Sequence, residues 1–140
     1  MKVMLPIDGS QFTQKMLDYV TAKPEFFRKD YEYMLTTVVT PLLPQAAGML
    51  GKSAVDEYYR ETADKVLAPA IKEMLDKGFK ADSGYKIGYV SEALPEEAEA
   101  GGYDIVVMGS HGHGTLGNLV LGSVANAMLS KTKIPVLLIR

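Results

Sequence analysis

A short apolar run, Ile105-Val106-Val107-Met108, ends at Gly109, and the chain continues through Ser110-His111-Gly112 to Gly122-Ser123-Val124. An uninterrupted apolar segment of this length reads as a strand buried on both faces, the kind found in parallel sheets covered by helices. The glycine at its end lets the backbone approach a ligand where a Cβ would collide. Beyond the loop, Ser123 is placed to cap a helix over residues 123–130, whose free N–H groups and dipole favour negative charge. The frame Gly109-x2-Gly112-x9-Gly122-Ser123 therefore suits a phosphate. A tight loop and a helix cap with purely structural glycines is the alternative.

Other glycine motifs fit less well. A kinase- or GTPase-type phosphate loop needs Lys-Ser or Lys-Thr after its last glycine, whereas Gly117 is followed by Asn118-Leu119. Residues Gly112 to Gly117 match the letters of the dinucleotide fingerprint, but that fingerprint requires an acid about 20 positions later. No Asp or Glu occurs after Asp104. A Ser-Gly-Gly-x-Asp-Ser pyrophosphatase-type loop is absent from the end of the first strand. All 17 acidic residues precede position 105, so the frame lies in the segment free of like-charge repulsion toward a polyphosphate.

Elsewhere, short apolar runs alternate with helical patterns, as expected of repeated βα units. Residues 2–7 form a first strand, and Ser10 caps a helix carrying Phe12, Met16, Leu17 and Val20 on one side. Residues 33–39 form a second strand, and 40–52, with Pro41, Pro44, Gly48 and Gly51, a loop or flap. Ser53 starts the longest helix, with Asp56 at capping-box spacing and apolar positions recurring until Gly78. Pro69 lies inside it and predicts a kink, because a straight helix would be destabilised there by about 3 kcal/mol. Residues 81–88 form a third strand, 91–100 a short helix, 103–108 the fourth strand and 134–139 a fifth.

The fifth strand begins with Pro135, which suits a sheet edge. A bare apolar edge is an aggregation hazard, so Val136 to Ile139 is expected to pair with or pack on the same strand of a second copy in a two-fold dimer. A covering helix within the monomer is the alternative.

A chain of 140 residues with 47% hydrophobic content fits one domain, 1–140. No apolar stretch approaches the roughly 18 residues of a membrane span, and Asp8 interrupts the start before a signal-peptide core forms, so a cytoplasmic location is expected. The absence of cysteine excludes disulfides and thiolate zinc sites. A net charge of −2 gives no reason to expect nucleic acid or an acidic membrane as partner. His111 and His113 without a third ligand read as polar loop residues rather than a metal site. No Ser or Cys nucleophile with its base can be picked out.

In open parallel sheets, ligands bind beyond the carboxyl ends of the strands where the strand order reverses. Pro6-Ile7-Asp8 and Met108-Gly109 are the expected neighbours of that point. Asp8 suits ribose hydroxyls or a hydrated metal ion, and equally a cap for the first helix.

These residues resemble the universal stress protein family, in particular its ATP-binding branch. The likeness runs from Val3-x-Leu5-Pro6-x-Asp8-Gly9-Ser10, through Gly88 and Asp104 to Gly109, to the glycine frame and the closing Pro135 to Arg140. Thr37 stands where the family often has histidine, and Val90 where a proline is common.

The resemblance implies a single-domain Rossmann-like fold of the adenine nucleotide alpha hydrolase-like type. It carries a five-stranded parallel sheet in the order 3-2-1-4-5 with helices on both faces. It implies homodimerisation through the fifth strand and an adenine nucleotide between strands 1 and 4. Asp8 then contacts ribose, Pro6 and Ile7 line the cleft, the Val38 backbone recognises the adenine edge, and Met108 and Gly109 lie under the sugar. Gly112, Gly122, Ser123 and Val124 offer donors to the phosphates, with Ser110 and His111 nearby and a divalent ion, Mg or Mn, bridging phosphate oxygens. The function so implied is an ATP-dependent switch in stress response with an unidentified signalling partner. A slow ATPase, or a nucleotidyl-transfer relative of the same architecture, is the alternative; no lysine or arginine is evident in the frame to stabilise phosphoryl transfer.

Overall fold

The computed structural model describes residues 1–111 and 121–140. Gly112, His113 and the remainder of the fingerprint-like segment lie outside the described residues. The elements run β1 (Lys2–Pro6), α1 (Gln11–Thr21), β2 (Glu32–Val39), α2 (Pro44–Leu50), α3 (Lys52–Asp76), β3 (Ala81–Ile87), α4 (Val90–Ala100), β4 (Ile105–Gly109), α5 (Ser123–Lys131) and β5 (Val136–Ile139). The strands form one parallel sheet in the order β3-β2-β1-β4-β5, as expected.

Alternation along each strand divides the apolar residues between two layers. Val3, Leu5, Leu35 and Val107 pack with Met16, Leu17 and Val20 of α1 and Ala63, Leu67 and Met74 of α3. Met4, Val106 and Met108 face the other way, onto Leu94 and Ala98 of α4 and Ala125 and Met128 of α5. The central strands are apolar on both sides because helices cover both faces. Connections from β1 lead outward through β2 to β3, and those from β4 outward to β5. The order therefore reverses between β1 and β4. Among the described residues, no helix is long and apolar enough to cross a membrane.

Local structure departs from the sequence expectations at three places. The 40–52 segment contains the helix α2, and none of its residues is buried. Gly51, at φ 79°, is both the last cap of α2 and the first of α3, so α3 starts at Lys52. Ser53 thus lies inside the first turn, and the expected Ser53–Asp56 capping box gives way to a glycine junction without a side-chain cap. Similarly, α5 starts at Ser123 with Gly122 as its cap, so Ser123 is the first helical residue rather than the cap. Ser10, by contrast, caps α1 as expected, its Oγ accepting from the Thr13 N–H at 3.4 Å. Helix α3 continues through Pro69, which lies on its exposed side, where water can take the carbonyl that proline leaves without a donor.

Candidate functional site

Two strand ends meet where the sheet order reverses, and a cleft of about 340 Å³ opens between them. From the end of β1 and just beyond it come Pro6, Ile7 and Asp8; from β2, Val38; from the end of β4 and the residues after it, Met108, Gly109, Ser110 and His111; and from the cap and start of α5, Gly122, Ser123 and Val124. Eleven of the twelve residues singled out in the sequence thus line one cavity, and the twelfth, Gly112, lies outside the described residues. Its size lies within the roughly 300–1,000 Å³ typical of small-ligand sites.

Asp8 is exposed at the mouth, but its carboxylate is held in place. Oδ1 accepts the Ser10 N–H at 2.9 Å and the Thr13 hydroxyl at 2.6 Å, while the Asp8 N–H donates back to Thr13 Oγ1 at 3.2 Å. Ser10 rather than Asp8 is therefore the cap of α1, and Asp8 is tied to that cap and to the first turn through Oδ1.

Beside it, β1 stops early. The Ile7 N–H donates to the Thr36 carbonyl at 2.8 Å, and β2 continues to Val39. Backbone groups alternate sides along a strand, so the amide groups of Val38 face the β1 side beyond the paired part of β1. That is the arrangement needed to read the edge of a planar base.

The opposite wall is built around Ser110, which is 3% exposed. Its N–H donates to the Ile139 carbonyl at 2.8 Å and its own carbonyl accepts from the Gly122 N–H at 3.0 Å. The second bond closes the glycine loop at its base and occupies one of the donors expected to face a phosphate. The first-turn N–H groups of α5, from Ser123 and Val124, then supply the anion-favouring end of the helix. Ser110 Oγ lies 2.9 Å from His111 Nδ1. The imidazole packs against Phe12 in a tilted arrangement, with ring centroids 5.1 Å apart.

Gly109 owes its identity to a neighbour other than a ligand. A Cβ there would come 2.7 Å from Phe12 Cβ and 3.0 Å from the Phe12 carbonyl oxygen, so glycine is what lets α1 pack against the end of β4.

Thr13, Thr36, Thr40, Val90, Leu94 and Ala125 also line the cleft and escaped the sequence reading. The Ser10-x-x-Thr13 spacing and the period-2 series Thr36, Val38, Thr40 were the available signals. Under α4, Tyr103 donates to Glu97 Oε1 at 3.2 Å, and Lys86 pairs with Glu97 Oε2 at 2.8 Å. Burial, reinforced by the Glu97 charge, raises the Tyr103 phenol to about 12.

The fold is shared with known proteins. Residues 1–140 match the universal stress protein family. The chain is 34% identical over 140 residues to the universal stress protein Slr1230 of Synechocystis, covering 99% of this chain but only 42% of that protein. It is 30% identical to the universal stress protein MJ0577 of Methanocaldococcus jannaschii, covering 99% of this chain and 94% of the relative. The solved MJ0577 structure superposes with a TM-score of 0.80 at 29% identity, covering 99% and 94% of the two chains. A universal stress protein family protein from Arabidopsis thaliana, At3g01520, solved with AMP bound, shares the fold with a TM-score of 0.70 at 16% identity, covering 99% of this chain and 90% of that one. The chain belongs to the universal stress protein family.

Proposed function

We propose that the cleft between β1 and β4 binds an adenine nucleotide, ATP with a Mg or Mn ion, and that the chain acts as a nucleotide-dependent switch in the cytoplasmic stress response. One observation carries this reading: a hydrogen-bonded carboxylate, the backbone of a strand running past its neighbour, and the N-terminus of a helix all line one cavity. Those three groups match ribose, base edge and phosphates in order. The AMP bound to the Arabidopsis protein supports an adenine nucleotide as the ligand class.

Among the described residues no group of three or more His, Cys, Asp or Glu is arranged to hold a metal. A divalent ion would therefore be carried mainly on phosphate oxygens, with Asp8 the carboxylate of the lining. Such an ion neutralises phosphate charge when bound.

The switch would act through the segment at 40–52. Thr40 lines the cleft, and beyond it the cap residue Leu43 and Met49 of the uncharged α2 are 71% and 89% exposed. Ligand contacts at Thr40 would bias that surface, which a signalling partner would meet. In the same reading, β5 forms a homodimer with its copy through Val136 to Ile139.

Calorimetry with ATP and magnesium tests the site. Wild type binds in this reading, and Asp8→Ala and Gly112→Val weaken binding severalfold or more. Equal affinity in all three refutes it. Sustained phosphate release well above about one per minute, abolished by Asp8→Ala, would favour an enzyme over a switch.

A further inference from the structure

Thr36 stands in the middle of β2, 2% exposed, and lines the cleft, yet its hydroxyl has no hydrogen-bond partner among the described residues. Alternation places it on the same face as Met34 and Val38, which pack in the apolar layer with Leu94 and Met108. A buried hydroxyl without a partner is unfavourable, so a polar atom supplied from outside the protein would be favoured there.

Neither neighbouring residue in the sheet offers its side chain a partner. Thr36 is flanked in the sheet by Pro6 of β1, which donates nothing from its backbone nitrogen, and by Gly84 of β3. A Cβ built on Gly84 would meet nothing within 4 Å. The Tyr103 hydroxyl interacts with Thr36, but its hydrogen bond goes to Glu97.

We propose that Thr36 is a base-reading residue: its hydroxyl, two residues deeper than Val38 on one strand face, hydrogen-bonds a ring nitrogen or exocyclic amino group of the bound nucleobase. The inference rests on the adenine-nucleotide reading of the cleft. Phosphate and ribose are satisfied elsewhere, by the α5 end and by Asp8, so the apolar recess around Thr36 takes the planar base. A hydroxyl both donates and accepts, and either kind of base nitrogen satisfies it.

The test compares wild type with Thr36→Val, which keeps the shape and removes the hydroxyl, and with Thr36→Ser, which keeps the hydroxyl. Calorimetry with ATP and magnesium is expected to show an affinity loss of about fivefold for Thr36→Val and near-wild-type binding for Thr36→Ser. Ligand-free Thr36→Val should melt at or above the wild-type temperature, because an unpaired buried hydroxyl has gone. Unchanged ATP affinity in Thr36→Val overturns the proposal. So does an equal loss in both variants, which would implicate packing, or a lower ligand-free melting temperature with no change in binding, which would make Thr36 a structural partner of Tyr103. Failure of wild type itself to bind ATP removes the cleft reading and this inference with it.

Discussion

The Thr13 hydroxyl donates a 2.6 Å hydrogen bond to Asp8 Oδ1, so the first turn of α1 sets the orientation of the carboxylate at the end of β1. Thr13 is 7% exposed, and its side chain also receives the Asp8 N–H. Removing the hydroxyl in Thr13→Val takes away one of the hydrogen bonds that orient the carboxylate, while the Ser10 N–H still donates to Oδ1 at 2.9 Å. The expected result is ATP affinity weakened by about threefold to tenfold, the value of one typical net hydrogen bond. Calorimetry checks this, and unchanged affinity would show that Asp8 needs no such support.

Gly109 and Phe12 define a second dependence. Because an added Cβ would press on the Cβ and carbonyl of Phe12, Gly109→Ala has to move α1 away from β4. Chemical denaturation should show destabilisation of roughly 1–3 kcal/mol. Adding Phe12→Ala should not restore stability, since the obstructing Cβ and carbonyl remain. Rescue by the double variant would place the conflict in the ring instead.

The five strands and the glycine at the end of β4 were legible from pattern, as continuous apolar runs and breaks at strand ends, whereas the strand order and most of the cleft-lining residues followed from the family resemblance. Local caps were less so. The Ser53–Asp56 and Ser123 caps were read from side-chain chemistry, but in both cases a glycine one or two residues earlier took the cap position through its backbone. Helix α2 was missed because its Pro and Gly content reads as loop, and it buries nothing that would leave an amphipathic signature. Thr36 was invisible as a site residue because in sequence it is one of two adjacent threonines in a β-rich run. Only the sheet shows that Thr36 faces the α4 layer while Thr37 faces the other.

The proposed dimer predicts which backbone groups matter. Val106 donates to the Pro135 carbonyl and Ser110 to that of Ile139, so the β4 ladder uses alternate residues of β5. Val136 and Leu138 then direct their backbone groups outward. Leu138→Pro removes an outward N–H and is compatible with an edge position. Light scattering should find wild type dimeric and Leu138→Pro folded but monomeric. A monomeric wild type at micromolar concentration would remove the β5 pairing.

Glu99 fastens the end of α4 to the segment that enters β5. Its Oε1 accepts from the Thr132 hydroxyl at 2.6 Å and from the Lys133 N–H at 2.5 Å, and these bonds hold the carboxyl below its ordinary value of 4.5. A folded-state value below the unfolded one means that the unfolded chain binds the proton more readily, so this group stabilises the fold above about pH 4.5. That contribution fades as pH falls from 4.5 through the depressed folded value. Glu99→Gln lacks the titration, so urea unfolding should show the variant less stable than wild type at pH 7 and the difference shrinking below pH 4.5. The group is fully exposed, so the gap should also shrink in high salt where solvent ions screen the carboxylate. A difference that stays constant with pH would mean that the clip acts through geometry alone, with no part played by its charge.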